Sequence, residues 1–367
     1  MKVAFVIDTI NKIGGTEKAT INLANALAQK KHKVTLISIY KDYFPASIQY
    51  MIDSNISIHS ISKKKYLKHS LIFYRIYFYL IKPKLNKFLK EQDYDFVLYT
   101  NIKFAAYSKT KYKKILVMHS RFSYFLKSTV TKRLLDKYHT SFDKVVFLTE
   151  MDKEEYSNFY STNNGTYIYN SIKIQDDNDY LYLKRNNSVV FLGRLNTHEK
   201  QLDRAILMFD KARKQFNKPW YFKIYGEGPA LSELKHLIKK HDIKNVEFLG
   251  VETDIQKIFN EADINILTSV VEGLPMSIVE ASSCKVPTIS YDSSPGIQEL
   301  INNNDSGYIV NLNDETQFIS RLKELMSDET KRKIMGNKAK NIAKLKFSEE
   351  KISSDWEKLF NSVAQGE

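Results

Sequence analysis

A single cysteine, Cys284, in 367 residues leaves no partner for an intramolecular disulfide, and the absence of clustered His and Cys spacing leaves no zinc framework either. Long apolar runs are missing as well. The longest, LIFYRIYFYLI from Leu71 to Ile81, carries Arg75 and falls short of the roughly 20 residues that a membrane-spanning helix needs. The opening MKVAFVIDTINKIGG is apolar for only five residues before Asp8, too few for the core of a signal peptide, and reads instead as a first buried strand. Glycine is scarce, at 12 residues, and none forms a Walker loop. YGEGPALSEL holds Gly226 and Gly228, but Pro229 and Leu231 follow where a dinucleotide fingerprint needs another small residue, which disfavours a nicotinamide dehydrogenase. These absences predict a reducing, cytoplasmic protein that is not integral to a membrane.

Acidic residues are scarce in one half only. Residues 1–170 hold 28 Lys and Arg against 13 Asp and Glu, whereas the remainder holds 28 against 29, so the whole net charge of +14 comes from the first half. Its densest part, Lys63 to Lys90, has nine bases and no acid, with Tyr and Phe interleaved. Such a stretch suits an anionic membrane surface, where each base contributes about 1 kcal/mol. A core helix with a solvated lysine face would read the same way. No nucleic-acid motif accompanies the charge, so nucleic acid is not an expected partner.

What is present is a repeated rhythm. Uninterrupted apolar runs at 3–7, 34–40, 96–100, 115–119 and 145–149 alternate with helix-patterned segments such as TEKATINLANALAQKK. After the polar patch 174–187 the pattern restarts with runs at 189–193, 221–226, 246–250, 264–269 and 286–291. Continuous rather than alternating apolar strands imply burial on both faces, hence parallel sheets covered by helices. The expected fold is α/β: two Rossmann-like, doubly wound domains facing a central cleft, residues 1–170 and 171–349, with ligands beyond the carboxyl ends of the strands.

Three motifs fall at such strand ends. Gly14-Gly15 opens a helix, with Thr16 as an expected N-cap whose neighbouring N–H groups favour an anion. In GRLNTHEKQLDRAI, Arg194 follows a buried strand and Lys200 precedes the next helix, two cations suited to binding a diphosphate and stabilising charge on a phosphate leaving group. In EGLPMSIVEASSCKVP, Glu272 sits in a turn and Pro275 suits the first helical turn, with free N–H groups expected from Gly273 to Met276. Glu280 lies about 7–8 Å along that helix, at roughly 1.5 Å per residue. The two carboxylates can thus accept hydrogen bonds from two separate sets of hydroxyls, such as those of a sugar and a ribose.

Together with YGEGP, VEFLGVETDIQKIFNEADINILTSVVEGLPMSIVEA and SPGIQELI, these segments resemble the family 4 glycosyltransferases, retaining sugar-nucleotide enzymes of the GT-B fold, from residue 2 to about residue 360. The resemblance implies that Arg194 and Lys200 clamp the donor diphosphate with Gly15 behind it, that Glu280 holds the ribose, and that Glu272 with the Gly273 and Leu274 amides orients the transferred sugar. It also implies that His119 contacts that sugar, that Val251 meets the base through its backbone, and that a C-terminal helix near 350–367 crosses back onto the first domain. Arg194 and Lys200 are six apart, one more than the commonest family spacing, which leaves the reach of the lysine in question.

The implied reaction is front-face transfer of a hexose or N-acetylhexosamine from a nucleotide sugar, UDP the usual carrier. No metal or other cofactor is implied, and the departing phosphate would help deprotonate the acceptor. The acceptor would be a lipid-linked or polymeric glycan of a bacterial envelope, met at the inner membrane surface through the basic residues 63–90. A metal-dependent GT-A transferase would need an Asp-x-Asp after a strand, and Asp93 and Asp95 precede theirs. Two alternatives stay open: a nonhydrolysing sugar-nucleotide epimerase of the same fold, and a basic membrane or polyanion adaptor that would tolerate loss of Glu272 and Arg194.

Overall fold

The computed structural model describes residues 1–10, 14–40, 52–63, 71–108, 111–174 and 185–366, with 71–77 described by backbone alone. The chain forms two compact units, Met1–Ser171 with Glu349–Glu367, and Ile172–Ser348. Part of the polar patch at 174–187, residues 175–184, lies outside the described residues.

The first unit is a parallel sheet in the order β3-β2-β1-β4-β5-β6-β7. Its strands are β1 (Lys2–Ile7), β2 (Lys33–Ser38), β3 (Ser57–Ser60), β4 (Phe96–Tyr99), β5 (Lys113–Val117), β6 (Lys144–Phe147) and β7 (Gly165–Tyr167). Burial on both faces follows from the uninterrupted apolar runs. Val3, Phe5 and Ile7 of β1 join one core with Leu23 and Leu27 of the helix Gly15–Gln29, while Ala4 and Val6 join another with Leu85 and Leu89 of the helix Leu71–Glu91. β3 and β7 do not come from apolar runs; they are edge strands with partly exposed residues.

The helix Glu349–Gln365 belongs to this first unit. Ile352, Trp356, Phe360 and Val363 repeat at helical spacing and are buried in the same core as the helix Gly15–Gln29. Phe360 packs on Phe96 with ring centroids 4.5 Å apart, and Glu357 pairs with Lys30 at 2.5 Å and meets His32 at 3.1 Å. At about 1.5–3 kcal/mol per large side chain, the four apolar contacts fix the helix far more firmly than the half-exposed ion pairs.

The second unit is a parallel sheet in the order β10-β9-β8-β11-β12-β13. Its strands are β8 (Ser188–Leu192), β9 (Tyr221–Tyr225), β10 (Val246–Gly250), β11 (Ile264–Leu267), β12 (Thr288–Tyr291) and β13 (Gly307–Val310). Strand order reverses between β8 and β11, which pair directly, as it does between β1 and β4 in the first sheet. Beyond the carboxyl ends at such a reversal the two flanking loops diverge and leave a crevice.

Candidate active site

Arg194 and Glu272 leave the two strands on either side of the reversal in the second unit, β8 and β11. The loop after β8 is held by backbone on both sides of Arg194: Gly193 N–H donates to Tyr225 O at 3.0 Å and Leu195 N–H to Glu227 O at 2.9 Å. That pairing needs the glycines of YGEGP. A Cβ on Gly226 would stand 1.9 Å from Gly193 O, and one on Gly228 would stand 2.2 Å from Leu195 O. With its neighbours locked, Arg194 is exposed, and its side chain has no hydrogen-bond or ion-pair partner among the described residues. Gly226 and Gly228 thus serve close backbone approach within the second unit.

Lys200 meets Glu272 despite the extra residue of spacing. Asn196 Oδ1 accepts from His198 N–H at 2.7 Å and Glu199 N–H at 3.0 Å, folding 196–199 into a tight turn, and Gln201 takes a left-handed conformation (φ 47°) before the helix Leu202–Arg213. Val270 N–H then donates to Glu199 O at 2.8 Å and Thr268 Oγ1 to Lys200 O at 2.7 Å, tying this loop to the one after β11. The Lys200 ammonium donates to Glu272 Oε1, with side chains 21% and 12% exposed respectively. Three ammonium hydrogens allow Lys200 to keep Glu272 and still offer donors to a phosphate oxygen.

Glu272 is placed by its own loop and the next. Ser294 Oγ donates to Gly273 O at 3.1 Å, and a Cβ on Gly296 would stand 2.4 Å from that same oxygen. Ser294 and Gly296, together with Asn196 and Thr268, are the supporting residues that sequence reasoning did not single out. Pro275 proves to be the N-cap of the helix Met276–Ser283, one position ahead of its expected place in the first turn. The N–H groups of Gly273 and Leu274 have no partner among the described residues. Glu280 lies on that helix and is 7% exposed. Val251 follows the end of β10 and is 50% exposed, just after Gly250 at φ 73°.

In the first unit, Gly14 rather than Thr16 is the N-cap, because the helix already begins at Gly15; Thr16 lies in its first turn and its carbonyl accepts from Thr20 Oγ1 at 2.8 Å. A Cβ on Gly15 would meet nothing within 4 Å, so the backbone there is open to close approach. His119 follows the end of β5, and burial pushes its pKa from 6.5 down to about 4, keeping the ring neutral near pH 7. Its titration leaves stability unchanged while both states are neutral; as pH falls from about 6.5 toward 4 the unfolded state takes up the proton first, and stability is lost. The expected cost at pH 4 is about 3 kcal/mol, read from urea midpoints at pH 7 and pH 4, with the slope reduced in His119→Gln.

A family model described as Glycosyltransferase Family 4 matches residues 13–176, and one described as Glycosyl transferases group 1 matches residues 173–342. An uncharacterized glycosyltransferase of Haemophilus influenzae is 28% identical over 97% of this chain and 98% of its own length. A Campylobacter jejuni GalNAc-alpha-(1->4)-GalNAc-alpha-(1->3)-diNAcBac-PP-undecaprenol alpha-1,4-N-acetyl-D-galactosaminyltransferase is 28% identical over 99% of each chain. In fold, the chain matches a TarM mutant of S. aureus solved with fondaparinux, α-GlcNAc-glycerol and UDP, with a TM-score of 0.81 and 16% identity over 99% of this chain and 100% of that one.

Proposed function

Because the chain belongs to the glycosyltransferases, carrying their Family 4 and group 1 domains in succession, we propose that it moves a hexose or N-acetylhexosamine from UDP to a lipid-linked or polymeric glycan acceptor in bacterial surface-glycan synthesis, with retention at the anomeric carbon. The observation that carries this reading is the Lys200–Glu272 pair spanning the strand-order reversal beside an Arg194 that has no partner among the described residues. Arg194 and Lys200 bind the diphosphate and stabilise the negative charge that grows on it as the glycosidic bond breaks. Glu272 keeps Lys200 in place and, with the Gly273 and Leu274 N–H groups, orients the transferred sugar. Glu280 accepts from the ribose hydroxyls, Val251 contacts the base, Gly15 backs the diphosphate and His119 contacts the transferred sugar. No side chain is assigned as general base; the leaving phosphate takes the acceptor proton, and no metal takes part. The UDP complex of the TarM mutant supports the carrier, and the undecaprenol-linked acceptor in the Campylobacter enzyme's name supports the acceptor class.

The test incubates the purified protein with nucleotide sugars and with undecaprenyl-diphosphate glycans or soluble glycan polymers. The expected result is transfer from one UDP-sugar, unchanged by EDTA, whose product keeps the donor's anomeric configuration by proton NMR. Inversion, or transfer that stops with EDTA, would overturn the mechanism.

The proposed setting is the inner membrane surface. Of the basic stretch 63–90, residues 64–70 lie outside the described residues. Later in the same stretch, Leu80 is 61% exposed on the helix face that also carries exposed Lys84 and Lys87, while Ile81, Leu85 and Leu89 point into the core. An apolar residue among lysines fits an anionic interface, for which no helix among the described residues is long and apolar enough to cross. Co-sedimentation is expected with phosphatidylglycerol vesicles at low salt and not with phosphatidylcholine vesicles; equal recovery on both would contradict it.

A further inference from the structure

On the first sheet, the helix Leu71–Glu91 leaves the residues that open the first three strands, Lys2, Lys33 and Ser57, exposed. Its Phe88 rests against His59 of β3, ring centroids 5.0 Å apart, and over the amino ends of β1, β2 and β3 lies an open trough of about 540 Å³. Strand register sets its floor. Lys2 pairs with Lys33, Thr35 with Ser57 and Ile37 with His59, and side chains paired across neighbouring strands, or two apart within one, share a face. Lys2, Lys33, Thr35, Ser57 and His59 therefore stand together, on the side where Ala4, Val6 and Ile37 continue into the core. Lys31 and His32 border them from the end of the helix Gly15–Gln29, and Gln92, Asp93 and Tyr94 from the approach to β4.

The charge of this trough is not balanced from within. Three lysines, Lys2, Lys31 and Lys33, face one carboxylate, Asp93, which Lys2 already holds at 3.0 Å. Nearby Glu357 is taken by Lys30 at 2.5 Å and His32 at 3.1 Å. The side chains of Lys31 and Lys33 have no hydrogen-bond or ion-pair partner among the described residues. Like charges opposite each other on neighbouring strands repel, so an anion laid across Lys2 and Lys33 is favoured. Lys31 also sits in a left-handed conformation at φ 66°, which glycine or asparagine takes more readily at a helix end. Ala28 and Val34 are the only aliphatic hydrophobes among the described lining residues, which disfavours an acyl chain, whereas Ser57, Asn55 and Gln92 offer groups to hydroxyls. We propose that the trough is a second binding site, for a phosphate-bearing glycan chain whose phosphates meet the three lysines. Gly15 and His119 follow the carboxyl ends of this sheet, and β1 alone is about 17 Å long at roughly 3.3 Å per residue. Only a long acceptor reaches both ends, so the trough holds polymers and not short acceptors. That role in transfer rests on the sugar-transfer reading above; the affinity for the chain does not.

The experiment titrates the full chain, by calorimetry, with a ribitol-phosphate oligomer, a dextran oligomer of equal length and inorganic phosphate. Wild type is expected to bind the phosphate oligomer about tenfold or more tightly than either of the others, and Lys31→Glu/Lys33→Glu to lose about tenfold, as the removal of two charge-assisted contacts requires. The milder Lys31→Gln/Lys33→Gln is expected to show the same loss should the charge reversal unfold the chain. The equal charge change at exposed Lys239 and Lys240 of the second unit, Lys239→Glu/Lys240→Glu, is expected to leave oligomer affinity within about twofold. UDP affinity is expected to be the same in all of them. In turnover, Lys31→Glu/Lys33→Glu is expected to raise KM for a long phosphate-bearing acceptor while leaving kcat, and the KM of a single-repeat acceptor, unchanged. Equal losses in the two charge-reversed variants would reduce the effect to overall charge, and inorganic phosphate bound as tightly as the oligomer would make the trough a free-anion site. Recovery on phosphatidylglycerol vesicles lost in Lys31→Glu/Lys33→Glu with oligomer binding intact would make it a membrane contact. Each of these overturns the proposal. Wild type that binds UDP but no oligomer would sink the trough and leave sugar transfer standing; oligomer binding that depends on Lys31 and Lys33 in a chain that binds no UDP would do the reverse.

Discussion

Lys200→Ala is expected to lower kcat by about 10²–10³, or some 3–4 kcal/mol of transition-state stabilisation, with a smaller rise in the donor KM. The size follows from placement. The ammonium is only 21% exposed and fixed by Glu272, so under the proposed sugar transfer it would meet the developing phosphate charge without reorganising and in a medium that screens poorly. Glu272→Ala is expected to cost as much, since it removes both the sugar-orienting carboxylate and the group that aims the lysine. The two act as a unit, so the double variant should lose little more than the worse single one. Initial rates of UDP release measure all three. A loss below tenfold for Lys200→Ala, or fully additive losses, would show that the pair is only a structural ion pair.

Gly226→Ala carries the second large effect, on stability first and on the site through it. Its Cβ would stand 1.9 Å from Gly193 O at a backbone φ of 130°, so both the contact and the conformation forbid a side chain. Overpacking costs about 1–3 kcal/mol and the strained backbone about 1–3 more, giving an expected loss of roughly 3 kcal/mol or above in urea denaturation. Because Gly193 adjoins Arg194, the relaxed variant should also bind the donor more weakly. Gly15→Ala is the contrasting case. With nothing within 4 Å of the added methyl, its stability should stay within about 1 kcal/mol of wild type. Equal destabilisation by the two changes would contradict this division of roles.

The two parallel sheets were legible in the sequence because central parallel strands must be apolar on both faces, as the runs of β1, β8 and β11 are. β3 and β7 were not, since an edge strand with partly exposed residues carries no such run. At the site, Arg194, Lys200 and Glu272 could be named from residue type and strand ends alone. The reason for Gly226 and Gly228 could not, because in one dimension they look like an incomplete phosphate fingerprint, and only the approach of 193–195 to 226–228 reveals their use. The caps at Gly14 and Pro275 lay one or two positions from the expected ones, a scale on which helix ends are set by tertiary contacts rather than by local preference.

The central claim is that the loops after β8 and β11 hold a nucleoside diphosphate through Arg194 and Lys200. Calorimetric titration of UDP and UMP into the wild-type chain, Arg194→Ala and Lys200→Ala tests it most directly. The account predicts that wild type binds UDP at least tenfold more tightly than UMP and that each variant loses most of that preference. Equal affinity of wild type for UDP and UMP, or an undiminished preference in Arg194→Ala and Lys200→Ala, would contradict it.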